Sequence, residues 1–469
     1  MRILLVGSLV CMISQTVWGA RNWPQLHGPS ANSHAESTQL PLTWSEKQNV
    51  KWKTAIHGRA WSSPVVWGNQ IWVTTASADG KRMSVLCIDR ESGRMLHDRL
   101  LYENEKPRFG NDFNSYASPT PVIEEGRVYV HFGSYGTACL DTADCRTLWS
   151  RRDLPCDHWR RPGSSPILFQ NLLIVHYDGF DYQYVVALNK TTGKTVWKVD
   201  RDIDYGSDNG DVMKAYGTPI VIEVNGELQL ISPAAKATLA YNPNTGTALW
   251  KLRYPQHSVA IRPMFRGGLL YLNTGFAPAQ LLAIRPDGRG DITGTHVAWS
   301  VRRRVPSMPS QLLVGDVIYM VHDDGVATRL DAKTGEVQWQ ERLEGKYTAS
   351  LLYAPGRIYC FDRDGRSVVL KAGETFERLA VNHLDEGMMS SPAVTDKAIL
   401  LRTKKHLYCI EQYQPSNRNT AQPARWRLFF RKDPFHVAIA ILGYPPGAHG
   451  GGGSGDGELQ SECRFDRLA

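Results

Sequence analysis

The chain contains eight cysteines but no CxxC and no adjacent pair. With Cys11 assigned to a leader that is removed, seven remain at irregular spacings, and an odd, unpatterned set organises neither a disulfide framework nor a zinc module. None of the fourteen histidines stands four residues from another, so the HxxxH ligand pair is missing. A phosphate-cradling glycine loop, a Ser-His-Asp order and a paired-carboxylate signature are missing too. Long apolar runs are absent. Ile3 to Met12 and Phe435 to Gly443 are both far shorter than the roughly twenty residues a helix needs to cross a bilayer. Excess charge is thin as well. Of the net +8, Arg2 supplies one and residues 413–469 supply two, leaving +5 over the remainder, too dilute to predict nucleic acid as a partner.

What is present begins with MRILLVGSLVCMISQTVWGA, a basic residue, an apolar run and small residues at Gly19 and Ala20. This reads as a signal peptide over residues 1–20, which predicts an exported, periplasmic or envelope-associated protein. Ser8-Leu9-Val10 is a poor lipobox, so lipidation of Cys11 is not expected.

From there the sequence repeats itself. Ser-Ser-Pro followed by apolar residues occurs at Ser62, Ser164 and Ser390. Aligning on the proline gives eight starts, at 64, 121, 166, 219, 263, 311, 351 and 392. Repeats of this length, rich in Val, Ile, Tyr and Trp and punctuated by Gly and Asn, are β-meanders. A second phrase follows in most units, as in Ala187-LNKTTGKTV-Trp197 and Ala240-YNPNTGTAL-Trp250. Its Asp or Asn bonds its own turn, a Gly (Gly193, Gly246, Gly335) takes positive φ, and the next strand places a Trp on the neighbouring unit. Trp149, Trp197, Trp250, Trp299 and Trp339 fill this docking position, and Cys87, Cys139 and Cys409 occupy the small-residue slot of Ala187, as buried apolar fillers. Arg329 stands in the same slot and is expected to snorkel outward or form an ion pair.

Four-stranded sheets bury two faces only by packing in a ring. The last unit, ending at Ile410-Glu411, has three strands, and the missing one is expected at Val50 to Ile56, with Trp52 in the docking position. The prediction is an all-β fold, an eight-bladed β-propeller over residues 50–412, closed by this N-terminal strand. Residues 21–49 form a lead-in, and residues 413–469, rich in Pro, Arg and Gly without the repeat, are read as a disordered tail.

The small-x-Asp/Asn-x-x-Thr-Gly-x-x-x-Trp phrase resembles the tryptophan-docking repeat of the quinoprotein-like eight-bladed propellers. That superfamily includes pyrroloquinoline-quinone (PQQ) alcohol dehydrogenases and the outer-membrane assembly lipoprotein BamB. Asn22-Trp23-Pro24-Gln25-Leu26-His27-Gly28-Pro29 is similar to the start of secreted bacterial proteins of this type. The resemblance implies either a dehydrogenase holding PQQ over calcium or a non-enzymatic binding scaffold. Adjacent cysteines over the quinone are part of the first pattern and are missing here, so a scaffold without cofactor is expected, with PQQ and calcium as the alternative. The partner is expected to be a protein or a small-molecule or glycan ligand, and the chain a monomer.

In such a ring, the segments joining one blade to the next cross one rim. They carry Arg59, Trp61, Tyr116, Trp159, Arg161, Lys214, Tyr216, Arg262, Arg304, Lys346 and Tyr347, an aromatic and basic composition suited to recognition. The insertion DIDYGSDNGD gathers Asp202, Asp204, Asp208, Asn209 and Asp211, read as a solvated loop with calcium as a weak alternative. HDDG at His322 and DRDG at Asp362 are hairpin turns. Truncation after Gln412 is expected to leave the thermal unfolding midpoint unchanged; a fall of several degrees would show that the tail contributes to the folded domain.

Overall fold

All eight strand starts read from the repeat are occupied one residue further on, by innermost strands beginning at Val65, Val122, Ile167, Ile220, Met264, Leu312, Leu352 and Ala393. The computed structural model describes residues 22–412 apart from Ala277, so the leader and tail expectations lie outside the described residues. Eight antiparallel sheets of four strands form the blades of the propeller, and the fourth gains a short parallel strand, Gly290–Asp291. Among the described residues, the helical content is one turn, Gly210–Met213.

Closure follows the expected route. Val50–Ala55 pairs antiparallel with His406–Glu411, the third strand of blade 8. The register is that of the other blades. Trp52 lies opposite Cys409, as Trp149 lies opposite Cys139, Trp197 opposite Ala187, Trp250 opposite Ala240, Trp299 opposite Ala283 and Trp339 opposite Arg329. The small residue leaves room for the indole, and the indole then reaches the next blade. Indole Nε1–H donates to the carbonyl of Arg90 from Trp52 (3.0 Å), of Lys190 from Trp149 (2.8 Å), of Pro243 from Trp197 (3.1 Å) and of Ala332 from Trp299 (3.1 Å). Trp250 donates instead to Gln229 Oε1, whose amide continues to the Pro286 carbonyl. The glycine of the receiving turn is required by contact as well as by its backbone. A Cβ on Gly193, at φ 71°, would lie 2.7 Å from the Trp149 ring, and Gly246 and Gly335 sit likewise under Trp197 and Trp299. Arg329 forms no ion pair among the described residues. Its guanidinium lies over the Tyr319 ring and donates to the Tyr319 hydroxyl and to Gln338 Oε1.

The apolar core is accordingly divided into clusters between neighbouring blades. The largest joins blades 7, 8 and 1, including Trp52 of the closing strand, to the lead-in through Trp23, Leu40 and Trp44. The lead-in starts in the central channel. Trp23 exchanges both backbone hydrogen bonds with Val66 on the inner strand of blade 1, the Pro24 carbonyl accepts from Ile123 N–H on blade 2, and Ser33 and Ala35 pair with Tyr353 on blade 7. From there it passes outward over blades 7 and 8, where Trp44 N–H donates to Asn382 Oδ1, and reaches the outer edge at Val50. Gly28, at φ 80°, turns the chain beneath Trp23, whose ring lies 2.9 Å from where a Cβ would be, which accounts for the spacing of the Trp-Pro-x-x-x-Gly-Pro stretch.

The residue just before each strand start has a shared task. Backbone N–H groups donate around the channel from Ser63 to Thr120 Oγ1 (3.0 Å), from Thr120 to Ser165 Oγ (2.9 Å) and from Ser165 to Thr218 Oγ1 (3.0 Å). The belt resumes from Ser310 to Ser350 Oγ (3.2 Å), from Ser350 to Ser391 Oγ (3.1 Å) and from Ser391 back to Ser63 Oγ (3.0 Å). These groups are buried, so each bond satisfies an N–H that would otherwise cost about 1–3 kcal/mol. Where blade 5 has Arg262 in place of a hydroxyl, the guanidinium links blade 4 to the lead-in, Nε donating to the Pro219 carbonyl (3.2 Å) and Nη1 to the Leu26 carbonyl (2.7 Å).

Trp52→Ala is expected to cost about 3–5 kcal/mol, the usual range for deleting a buried indole, in urea unfolding. Trp339→Ala, whose indole N–H has no partner among the described residues, should cost less. Acid should weaken the fold through the lead-in. Burial, reinforced by Arg262, holds the His27 imidazole down at about 3 while its Nε2 pairs with Ser350 Oγ. The unfolded chain therefore takes up this proton first as pH falls, and stability is lost from about pH 6.5 downward to about 3. Unfolding midpoints across that window should fall less steeply for His27→Gln than for the parent protein.

Candidate functional site

Because every inner strand starts at the same face, the eight connecting segments converge there on a cavity of about 400 Å³ at the channel mouth. The residue two positions before each strand-leading belt position lines it in all eight blades: Trp61, Ser118, Gly163, Tyr216, Ala260, Met308, Thr348 and Met389. Phe113 and Phe276, respectively 42% and 57% exposed, stand at its edge. The belt lies beneath, and on its far side the lead-in crosses the inner strands.

The charged pair and Asn114 of this mouth are already engaged, whereas the buried Thr348 Oγ1 has no partner among the described residues. Arg160 clamps Asp211 through two hydrogen bonds, Nε to Oδ1 at 2.6 Å and Nη2 to Oδ2 at 2.9 Å, so the pair carries little net charge. Asn114 Nδ2 donates to the carbonyls of Arg160, Arg161 and Pro162, while its Oδ1 accepts from Ser115 N–H and the Ser118 hydroxyl. Asn111 Oδ1 accepts from Phe113 N–H. Burial lowers the His257 imidazole below its ordinary value, which favours the neutral form, with Nδ1 3.0 Å from Ser258 Oγ. The free surface offered to a ligand is therefore mainly ring faces and methionine side chains.

Of the rim residues singled out in the sequence, Trp61 and Tyr216 face the cavity. Trp61 Nε1–H donates to the Phe113 carbonyl, and Lys214 Nζ lies 4.7 Å above the Tyr216 ring. Tyr116, Arg161, Lys214 and Tyr347 are buried. Arg161 spans the long blade 1–2 loop, donating to the carbonyls of Asn114 and Gly110 over the Tyr116 ring, and Tyr116 Oη donates to the Arg108 carbonyl. Lys214 Nζ donates to the Asp178 carbonyl at 2.7 Å and lies 3.1 Å from His158 Nδ1; desolvation lowers its pKa. Arg262 belongs to the belt. Arg59, half-buried, lies 5.8 Å over the Trp61 ring and 3.4 Å from Asp112. Arg304 and Lys346 are exposed. Trp159 sits outside the mouth between Phe109 and Phe180.

Sequence reasoning missed Phe113, Arg160, Met308 and Met389. The signal that finds the inner ring is register, two residues before the belt. Arg59, Tyr116, Arg161, Lys214 and Lys346 all stand four before it, where the segments turn away, with Arg161 in left-handed backbone at φ 68°.

A second depression of about 570 Å³ adjoins the mouth between blades 5 and 6, sharing Phe276 and Ser307 with it and lined by Arg302, Arg303, Arg304 and His322.

The carboxylates of the loop read as a weak calcium candidate are largely engaged within the protein. In the Asp202 to Asp211 insertion, Asp202 pairs with Lys251 at 2.6 Å, Asp204 Oδ1 accepts from Gly206 N–H, and Asp211 is held by Arg160. Among the described residues, no group of three or more His, Cys, Asp or Glu side chains is placed to hold a metal ion. The six described cysteines are free and buried, and burial pushes the thiols of Cys139 and Cys409 up to about 12. No helix among the described residues is long and apolar enough to cross a membrane.

Several solved structures share this architecture. BamB from Moraxella catarrhalis matches with 12% identity and a TM-score of 0.53, over 77% of this chain and 99% of its own. Quinohemoprotein alcohol dehydrogenase from Comamonas testosteroni matches with 10% identity and a TM-score of 0.61, over 84% of this chain and 81% of its own. The computationally designed Ika8 protein matches with 12% identity and a TM-score of 0.54, over 76% of this chain and 98% of its own. At such identities the likeness is one of fold. No curated protein matches the chain in sequence. The family described as outer membrane protein assembly factor BamB matches residues 99–197 and 181–418, which together span blades 2 to 8, and the chain belongs to that family.

Proposed function

We propose that this protein is an exported, non-enzymatic binding module that engages a protein or ligand at the blade-connecting rim, in the cell envelope. One observation carries the reading: all eight connecting segments contribute to a single cavity on that face. The other end of the channel is occupied by the lead-in, paired with Val66, Ile123 and Tyr353. A ligand therefore approaches from the rim, where exposed aromatic rings stand on a scaffold held by the belt. The family description, an outer-membrane protein assembly factor, agrees with an envelope location and a protein partner. The leader read over residues 1–20 agrees with export.

The dehydrogenase reading has less support. Asp211, the acid among the described residues lining the mouth, is bound by Arg160, and the Asn111 and Asn114 side-chain oxygens accept from their own loop, so these groups are not free as a calcium ligand set.

A photo-crosslinking residue placed at Trp61, Phe113 or Phe276 in the exported protein should label a partner, and the same residue at Glu125 or Asp316, in hairpins at the other face, should not. Labelling confined to the other face would overturn the proposal. So would a bound chromophore with dye-linked alcohol oxidation after incubation with PQQ and calcium.

A further inference from the structure

The rim mouth and the arginine groove beside it differ in chemistry yet form one continuous surface. The mouth offers rings and thioethers, the charged residues lining it are the closed Arg160–Asp211 pair, Arg363 lies over the Phe113 ring at its edge, and the Asn114 amide is spent on backbone. A sugar needs many hydrogen-bonding partners around its hydroxyls, and the walls are mainly apolar, with Thr348 Oγ1 as an open polar group. An apolar side chain needs only desolvated faces, and methionines such as Met308 and Met389 adapt their shape to one.

The groove between blades 5 and 6 is unlike the mouth. Arg304 is neutralised by Asp324, Nη1 to Oδ2 at 2.9 Å, and the same carboxylate takes His322 Nδ1 at 2.6 Å. Arg302 and Arg303 are exposed and have no carboxylate partner among the described residues. Two neighbouring unneutralised guanidiniums at the end of an apolar cavity select carboxylates next to an apolar anchor. The charge is local. With the surplus over the whole domain so dilute, a long polyanion gains no continuous track to follow.

Resting on the binding-module reading, we propose that the mouth and groove together receive an extended acidic peptide, one large apolar side chain entering among Trp61, Phe113 and Met308 and its flanking carboxylates pairing with Arg302 and Arg303. The buried anchor supplies most of the affinity, and the exposed charge pairs supply selectivity and a salt-sensitive association rate.

Three fluorescein-labelled probes test this by anisotropy with the full chain: an octapeptide with one tryptophan between glutamates, its counterpart with lysines for glutamates, and an oligogalacturonate. The glutamate peptide should bind at least about tenfold more tightly than the lysine peptide, a difference of about 1.4 kcal/mol. Its binding should weaken by about tenfold or more with the double variant R302E/R303E, and also with Phe113→Ala. All three positions are exposed, and an unchanged unfolding midpoint confirms that the variants fold. Equal binding of the two peptides, no binding of either, indifference to R302E/R303E, or preference for the oligogalacturonate would overturn the proposal. Rim crosslinks together with a failed glutamate peptide would sink this inference and leave the binding-module reading standing.

Discussion

Everything in this molecule depends on the seating of Val50–Ala55 against the third strand of blade 8. A blade is a small sheet with two apolar faces, and only a neighbour on each side keeps both from water. Seven interfaces arise from the order of the chain. The eighth exists only because the first strand returns to the last blade and brings Trp52 onto the turn of blade 1, its N–H on the Arg90 carbonyl. The largest apolar cluster lies there, joining the two ends of the ring with the lead-in.

Closure at the periphery is matched by a belt at the centre. Hydroxyls before the strand starts accept backbone N–H groups from the preceding blade, which sets the inner strands at one height around the channel. That common height is why residues two positions earlier meet in one cavity, although they are far apart in sequence. Arg262 shows how the same position can be reused. Lacking a hydroxyl, it bridges to the Leu26 carbonyl and ties the ring to the lead-in. The Ser-Ser-Pro phrase is thus a structural device, and it aligns the segments that line the mouth.

Blade number, strand starts, the small-residue slot and its Trp partner, and the clasp were all legible in the sequence. Each rests on a local periodicity that only one architecture satisfies, as Cys139 opposite Trp149 illustrates. The mouth was less legible. Lys214 and Arg161 have the composition of a binding face, but whether a long side chain reaches into solvent or down between blades is decided by the turn of the segment and by the carbonyls beneath it. Phe113 and Met389 look like ordinary apolar residues in sequence. They line one cavity only because the ring brings their loops together.

The sequence by itself determined the repeat, the ring and its closure, since these follow from strand patterning and from the need to bury two faces of every blade. Only the tertiary structure decided that the lead-in pairs with inner strands in the channel, that Arg160 neutralises Asp211, and that Arg302 and Arg303, beside an apolar mouth, have no carboxylate partner among the described residues. These outcomes depend on contacts between segments distant in the chain, where a side chain's partner is set by the height and rotation of neighbouring blades and leaves no trace in local spacing.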